Sequence, residues 1–354
     1  MTHPDYPLEA EADLPGVSHA AMRQMILAQA SAAKMPVLED ADDRLTVCTA
    51  HGLIGLRPGR ATATAGMVAA EDPRWLFVMK NAVVAQMRAA LPAVAEAMRW
   101  SDGDAVGGLP PNFMFVRVRS VEPLGPIFLR VTLEGEDMSA HGDRAIHFRL
   151  VLPPAEDQPV WPSVAANGSI VWPEGPGAPH RPVYTTRAVD HVANTLVTDV
   201  FVHEGGRTTA WARDVMDGAR GRTVIGVVGP SGGGLLAAER VLLAADETGF
   251  PAAARLLENL QSTARGLVLL EADDGADCAY PIDAPEGVEI RWLVRSRGEV
   301  LADAALAALP DFSDAKIWFA GEREDAARVR EAARSAGRES GDLRISGFWR
   351  ARGS

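Results

Sequence analysis

The sequence predicts a multidomain α+β protein: a small N-terminal α+β domain, an antiparallel β-barrel, and a C-terminal α/β domain on a parallel sheet. Three observations support this prediction. A chain of 354 residues is long enough for two or three domains. Short strand-like runs punctuated by turn residues fill its middle, and apolar runs alternate with helical patterns after residue 236. The predicted boundaries are 1–105, 112–232 and 236–354.

The N-terminal domain is predicted from its alternation of helical and strand-like periodicity. Residues 1–16 are expected to be disordered or loosely attached. The elements expected after them, in order, are a helix over 17–33, strands over 44–49, 51–56 and 61–65, and an amphipathic helix over 73–98. The Gly- and Pro-rich stretch 101–111 is predicted to be a linker.

The middle of the chain is predicted to form the barrel because its short strands have no long helix between them. Strands are expected over 113–121, 127–133, 145–152 and 196–202. Only 208–213 has a helical pattern, and the Pro- and Gly-rich tract 153–182 is expected to be an ordered loop with a hairpin.

Five apolar runs in the C-terminal third predict a doubly wound parallel sheet. They lie at 241–245, 267–271, 288–294, 316–320 and 343–347, with helices expected over 251–260, 299–309 and 325–336. Ligands of such sheets bind beyond the carboxyl ends of the strands. The candidate binding segments are therefore 246–248, 295–297 and 321–322.

Composition excludes several classes of function. A net charge of −12 without any basic run argues against nucleic-acid binding. Cys48 and Cys278 are too few for an iron–sulfur cluster or a cysteine zinc site, and the eight histidines show no metal-binding spacing, so no protein metal ligands are predicted. No signal peptide and no apolar segment of about 18 residues is present, so we expect a cytoplasmic protein without membrane insertion.

The stretch from Arg181 to Trp211 carries the clearest functional signal. Tyr184 lies beside two threonine hydroxyls, and one strand later a Gly-Gly turn is followed by Arg207 and two more threonines. A planar aromatic and a group of phosphate-binding donors are what a flavin dinucleotide requires. The alternative is ordinary strand composition followed by a plain turn.

Further motifs follow in a fixed order: Arg-Pro-Val-Tyr-Thr-Thr-Arg at 181–187, His…Trp-Ala at 203–212, Gly-Pro…Gly at 229–234, Leu-Ala-Ala-Asp-Glu-Thr-Gly-Phe-Pro-Ala at 243–252, Trp-Phe-Ala-Gly-Glu at 318–322 and Gly-Phe-Trp-Arg at 347–350. Over 112–354 the chain resembles the siderophore-interacting protein family of FAD-dependent ferric-siderophore reductases, in the ferredoxin-reductase-like superfamily. The resemblance implies electron transfer from NADPH or NADH through FAD to a ferric siderophore. The N-terminal unit is similar to a small domain of unassigned function that is sometimes fused to such reductases.

The resemblance also implies which residues contact the flavin. Tyr184 is expected to stack on the flavin ring. The other expected FAD contacts are Arg181, Thr185, Thr186, His203, Gly206, Thr208, Thr209 and Trp211. The chain departs from the family at Pro182, where an arginine is usual, so Arg181 or Arg207 is expected to reach the pyrophosphate instead.

The nucleotide site is expected at the carboxyl edge of the parallel sheet. Asp246, Glu247 and Thr248 are expected near the nicotinamide ribose, with helix capping as the alternative. The arginines of this edge, Arg295 and Arg297, are expected to hold a 2′-phosphate, with a solvated surface position as the alternative. Glu322 is expected either to support the nicotinamide or to begin the next helix, and Phe348 and Trp349 either to cover the flavin or to pack in the core.

Other readings of the same residues stay open. The chain is alternatively a flavin electron-transfer module for another acceptor. A separate ferredoxin is the alternative donor if Asp246 and Glu247 exclude the nucleotide. A third alternative is a protein that binds a siderophore or a flavin without turnover. It stays open because the chain departs from the family at Pro182 and at Gly249, where the family prefers alanine.

Overall fold

The computed structural model describes residues 5–60, 64–103, 105–154, 159–218 and 224–351. Contacts divide the chain into two compact units, Met1–Met114 with Val151–Arg181, and Phe115–Leu150 with Pro182–Ser354. The boundaries 1–105, 112–232 and 236–354 stay predictions. Within the described ranges, no helix is both long and apolar enough to span a membrane.

The first unit is an antiparallel sheet with helices. Its elements are β1 (Leu8–Asp13), α1 (His19–Ala32), β2 (Val37–Ala41), β3 (Arg44–Thr49), β4 (Gly52–Arg57), β5 (Ala65–Ala70), α2 (Pro73–Ala90) and α3 (Pro92–Ala97). The strand order is β1-β5-β4-β3-β2. Asp72 caps α2 by accepting hydrogen bonds from the main-chain N–H groups of Arg74 and Trp75.

Three expectations for this unit need correction. The predicted disorder of 1–16 is wrong for β1, which pairs with β5 along its whole length and buries Ala10 and Ala12. The third strand lies at Ala65–Ala70 rather than 61–65, and 61–63 fall outside the described residues. The predicted helix over 73–98 is broken at Leu91, because Pro92 cannot continue α2 and instead begins α3.

The barrel of the second unit follows. The next elements along the chain are β6 (Phe113–Leu124), β7 (Phe128–Gly135), β8 (His147–Val151), β9 (Ser163–Val164), β10 (Ile170–Val171), β11 (Val183–Thr185), β12 (Ala188–Asp190), β13 (Thr195–Phe201), α4 (Arg207–Met216) and β14 (Val224–Ser231). Strands β9 and β10 form the predicted hairpin within 153–182, and this hairpin belongs to the first unit.

The seven remaining strands are ordered β11-β8-β14-β6-β7-β13-β12. Strand β11 also meets β13, because Thr198 Oγ1 donates to the Thr185 carbonyl at 2.8 Å and the Arg187 N–H donates to the Val197 carbonyl at 2.8 Å. These bonds close the sheet on itself, as the predicted barrel requires.

The rest of the second unit confirms the predicted parallel sheet. Its elements are β15 (Arg240–Asp246), α5 (Phe250–Glu258), β16 (Arg265–Ala272), β17 (Val288–Val294), α6 (Leu301–Ala308), β18 (Lys316–Glu322), α7 (Arg323–Ser335) and β19 (Leu343–Trp349). The order β17-β16-β15-β18-β19, all parallel, is doubly wound. Residues from the central strands, such as Leu243, Leu269 and Phe319, are buried.

Buried polar contacts join the barrel to the parallel-sheet domain. The Arg255 guanidinium, on α5, donates to the carbonyls of Thr186 and Gly142. On the other side, the Tyr280 hydroxyl donates to Asp199 Oδ2 at 2.7 Å, and Asp199 also accepts from Arg130. Because these groups are desolvated, their hydrogen bonds fix the two halves of the unit relative to each other.

Candidate active site

Helix α4 begins directly after the Gly205-Gly206 turn. Gly205 has φ of +71°, and Gly206 is the N-cap of α4, where no side chain of the described residues makes a capping hydrogen bond. A Cβ at Gly206 would lie 2.8 Å from the His203 ring and 2.9 Å from Thr209 Oγ1. The main chain therefore approaches its neighbours closely, and the N-terminus of α4, with the positive end of its dipole, favours an anion.

The structure brings Tyr184 and Thr208 together, although they come from β11 and α4. Their side chains are hydrogen-bonded, and burial raises the pKa of the Tyr184 phenol against the effect of this bond. The neighbouring Thr209 hydroxyl accepts from the His203 N–H and donates to the Phe201 carbonyl, both at 3.4 Å. The start of α4 is thus tied to β13 and to the aromatic ring of β11.

Two buried polar atoms, one just after β11 and one on α4, lack a hydrogen-bond partner within the part of the chain that the structure describes. They are the Thr186 hydroxyl and the Trp211 indole N–H. Leaving such an atom unpaired costs about 1–3 kcal/mol, so a ligand that supplies partners is favoured here. With the uncapped helix and the Tyr184 ring, these atoms fit the flavin, hydroxyl and phosphate groups of FAD.

The two arginines considered for the pyrophosphate lie in different places. Arg181 belongs to the first unit, where its guanidinium carbon is 4.8 Å from the ring centroid of Trp172. Arg207 is the first residue of α4 and is exposed. The structure therefore places Arg207 beside the candidate phosphate site, next to Gly206.

Asp246 lies at the carboxyl end of β15 and is buried. Its Oδ1 accepts from the Thr248 N–H at 2.9 Å and the Thr248 hydroxyl at 2.5 Å, while Oδ2 accepts from Trp349 Nε1 at 2.5 Å. Burial raises the pKa of Asp246 to about 6, the charge of Glu247 adds to this, and the hydrogen bonds oppose it. Thr248 is thus engaged by Asp246, and the N-cap of α5 is Gly249.

Glu247 and Arg295 form a bidentate ion pair at the same edge, with N–O distances of 2.8 and 2.6 Å. Glu271 and Asp273 also accept from the Arg295 guanidinium. The hydrogen bonds that Arg295 donates to Glu247 raise the pKa of the guanidinium. Three carboxylates therefore occupy Arg295, whereas Arg297 is exposed and forms no ion pair with any residue in the described ranges.

Glu322 is the N-cap of α7. Its Oε2 accepts from the N–H groups of Glu324 and Asp325, and its Oε1 accepts from the Ala351 N–H at 3.2 Å. The side chain holds the helix start and the C-terminal segment together. This is the second of the two positions expected for Glu322.

Several contacts at the site come from residues that the sequence patterns do not single out. His147 on β8 is opposite Thr185 in the strand register. The hydrophobic periodicity of β8 does not indicate this contact, because a single histidine within a strand predicts no particular partner. Arg255 does leave a signal: it is a lone charge within the apolar run of α5, and a buried guanidinium requires partners.

The closed barrel, the parallel sheet and the α4 turn together define a flavin-binding protein. Comparison with known families agrees: residues 117–234 match the siderophore-interacting FAD-binding domain, and residues 238–352 match the siderophore-interacting protein family model. The chain belongs to the siderophore-interacting protein family, as the sequence motifs predicted.

Individual relatives support this membership. The chain is 29% identical to the NADPH-dependent ferric-chelate reductase of Escherichia coli, over 68% of this chain and 94% of that protein. It is 31% identical to the ferric vibriobactin reductase ViuB of Vibrio cholerae, over 58% of this chain and 78% of that protein. The crystal structure of a siderophore utilization protein from T. fusca has 30% identity and a TM-score of 0.57, over 68% of this chain and 94% of that one.

Proposed function

We propose that this protein is a reductase that moves electrons from NADPH or NADH through FAD to a ferric siderophore, releasing ferrous iron in the cytoplasm. The observation that carries the proposal is the convergence of Tyr184 and Thr208 at the uncapped start of α4. The names of the bacterial ferric-chelate reductases to which the chain is similar support the choice of acceptor.

The residues of the barrel have distinct tasks in this proposal. Tyr184, held by Thr208, presents its ring to the flavin and limits how the flavin can tilt. The main-chain N–H groups after Gly206, that of Thr209 among them, and the cation of Arg207 bind the pyrophosphate. Thr185 and Thr186 from β11 and His203 and Trp211 around α4 complete the FAD contacts. Arg181 stays a proposed contact on sequence grounds alone.

The edge of the parallel sheet has the second task, binding the nicotinamide nucleotide. Asp246, Glu247, Thr248 and Glu322 lie at or next to the ends of β15 and β18 and would orient the ribose and nicotinamide. Each of them then has to exchange a hydrogen bond within the chain for one to the nucleotide. Arg295 is occupied by carboxylates, so we assign a 2′-phosphate, where one is present, to Arg297.

FAD, when bound, supplies the ability to accept a hydride and to pass on electrons one at a time. The acceptor is a ferric ion already wrapped in its chelator. Hard oxygen donors hold ferric iron more tightly than ferrous iron, so one added electron loosens the complex. The chain therefore has to bind and orient its partners while the chelate carries the metal.

A separate ferredoxin is a second candidate for the electron donor. One observation favours it: Trp349 and Ala351 already engage the carboxylates of Asp246 and Glu322 at the nucleotide edge. A nucleotide has to compete with this segment, whereas a protein donor does not.

The test of the proposed function compares flavin binding with turnover in the same preparation. Protein reconstituted with FAD is mixed anaerobically with NADPH, NADH or reduced ferredoxin, and then with a ferric catecholate or hydroxamate and a chromogenic ferrous chelator. We expect colour from ferrous iron that requires both FAD and a donor. Absence of FAD binding, or of ferrous iron with every donor, contradicts the proposal.

Variants at Tyr184 make the test specific to the site. Tyr184→Phe removes the hydrogen bond with Thr208 and should weaken FAD binding about three- to tenfold, and Tyr184→Ala should weaken it further. Tyr6→Phe, in the first unit, is the matched control and should bind FAD like the wild type. Unchanged affinity in Tyr184→Ala would remove this residue from the flavin site.

A further inference from the structure

His147 makes two polar contacts with the strand that carries the proposed flavin residues. Its Nδ1 lies 3.4 Å from Thr185 Oγ1, and its ring also hydrogen-bonds the main chain of Tyr184. Thr185 itself is buried, with 4% of its surface exposed. The imidazole therefore determines how the Thr185 hydroxyl can rotate.

Two further neighbours, Gly232 and Phe348, pack against the imidazole. Gly232, at φ of +75°, lies so close that a Cβ would come within 2.6 Å of His147 Cδ2. The Phe348 ring meets the imidazole edge to face, with centroids 5.6 Å apart, and Phe348 meets Trp318 of β18 in the same way at 6.4 Å. The ring is thus packed between the barrel, the glycine loop and the C-terminal strand.

These surroundings keep the imidazole uncharged at neutral pH. Burial lowers the pKa of His147 to about 4, the cation of Arg255 on α5 acts in the same direction, and the Tyr184 main chain opposes both. A neutral imidazole has one donor and one acceptor nitrogen. The nitrogen that faces the Thr185 hydroxyl is therefore either a donor or an acceptor, and the hydroxyl has to take the opposite role.

We propose that His147 is a positioning residue that sets the polarity of the Thr185 hydroxyl, and through it the hydrogen bonding that β11 offers to the flavin ring. This inference rests on the proposed function, because Thr185 acts on a flavin only if FAD binds at this strand. If His147 only filled space, any aromatic side chain of similar size could replace it. The two polar contacts are what distinguish histidine there.

The test is a double-mutant cycle on FAD-loaded protein that measures the midpoint potential of the bound flavin and the Kd for FAD. His147→Phe keeps an aromatic ring against Phe348 but removes both nitrogens. Thr185→Val removes the hydroxyl at nearly constant volume. His191→Phe is the control, because His191 is an exposed histidine in the turn between β12 and β13.

We expect His147→Phe and Thr185→Val to shift the midpoint potential in the same direction and each to weaken FAD binding about three- to tenfold. The double variant should resemble either single variant, since His147 acts through the hydroxyl. His147→Gln, which again offers a donor and an acceptor, should restore most of the potential. His191→Phe should match the wild type.

Two outcomes overturn the inference while the proposed function stands. One is a wild-type potential and FAD affinity in His147→Phe, and the other is additive effects in the double variant. If the wild type binds no FAD, the proposed function and the inference fail together. His147→Leu replaces the phenylalanine variant if that variant does not fold, and the same outcomes apply.

Discussion

The indole N–H of Trp349 donates a hydrogen bond to Asp246 Oδ2 at 2.5 Å, between residues 103 positions apart in the sequence. Asp246 ends the central strand of the parallel sheet, and Trp349 ends its last strand. This bond holds the C-terminal segment at the carboxyl edge where doubly wound sheets bind their ligands. In the proposed function, a bound nucleotide therefore has to share this carboxylate with the Trp349 indole.

Asp246 should give the stability of the protein a distinctive pH dependence. Its folded pKa is raised from 3.8 to about 6, so the ionised form at neutral pH destabilises the fold. This penalty is absent below about pH 4, grows as the pH rises towards 6 and is complete above it. Relative to Asp246→Asn, the wild type should gain about 1 kcal/mol in free energy of unfolding between pH 7.5 and pH 5.

Urea unfolding of both proteins at several pH values measures this gain. Asp283→Asn, at an exposed carboxylate, is the control and should track the wild type. A stability difference between wild type and Asp246→Asn that does not vary with pH would show that Asp246 does not titrate in this range.

Variants of the two arginines after β17, Arg295 and Arg297, should have different effects on the free energy of unfolding and on the preference for NADPH over NADH. Arg295→Gln leaves Glu247, Glu271 and Asp273 without their shared cation. Because Arg295 is 37% exposed, we expect a loss of about 1–2 kcal/mol in unfolding free energy, less than for a fully buried pair. Arg297→Gln should leave stability within about 0.5 kcal/mol.

Nucleotide binding then reports on Arg297. Arg297→Gln should raise the Kd for NADPH about tenfold and leave the Kd for NADH unchanged, since only NADPH carries the 2′-phosphate. Anaerobic titrations with both nucleotides provide the comparison. Equal effects on the two Kd values would exclude a 2′-phosphate contact at Arg297.

Gly206→Ala tests the cradle at the start of α4. The added methyl group would meet the His203 ring at 2.8 Å and Thr209 Oγ1 at 2.9 Å, so the turn has to shift. FAD affinity should fall about tenfold or more, while the helix content by circular dichroism stays the same. Gly142→Ala is the control, because no atom lies within 4 Å of its added Cβ. Equal FAD affinity in both variants would place the pyrophosphate elsewhere.

Tyr280→Phe tests the link between the barrel and the parallel-sheet domain. It removes the hydrogen bond to the buried carboxylate of Asp199, which still accepts from Arg130. We expect a loss of about 1–2 kcal/mol in unfolding free energy. Asp199→Asn should cost more, because Arg130 then loses its counter-charge. A wild-type free energy of unfolding in both variants would contradict this role.

The sequence predicts the architecture well where periodicity is strong. The five strands β15 to β19 appear as expected. The three inner strands, β15, β16 and β18, are apolar runs buried on both faces, whereas the edge strands β17 and β19 mix apolar with charged or exposed residues. Strand β2 cannot be predicted in this way, since all five of its side chains are exposed and buried and exposed positions do not alternate along it. Strand β1 is not predicted, because the start of the chain is acidic and contains prolines, which is typical of a disordered segment. Its alanines are nevertheless buried against the sheet.

The candidate site is only partly visible in the sequence. The glycine turn and the two hydroxyls in the first turn of α4 are local features, so their spacing indicates a phosphate site. The pairing of Arg295 with Glu247 and the contact of His147 with Thr185 depend on strand order and register, which single residues do not reveal. Arg181 and Arg207 look equivalent as cations in the sequence, yet only Arg207 opens α4.

Anaerobic rapid mixing of FAD-loaded protein with NADPH, and then with a ferric catecholate, tests the central claim most directly. We expect the visible absorbance of the flavin to be lost on the first mixing and to return on the second, in step with the appearance of trapped ferrous iron. Flavin absorbance that stays unchanged with NADPH, NADH and reduced ferredoxin, or that returns without any ferrous iron, would contradict it.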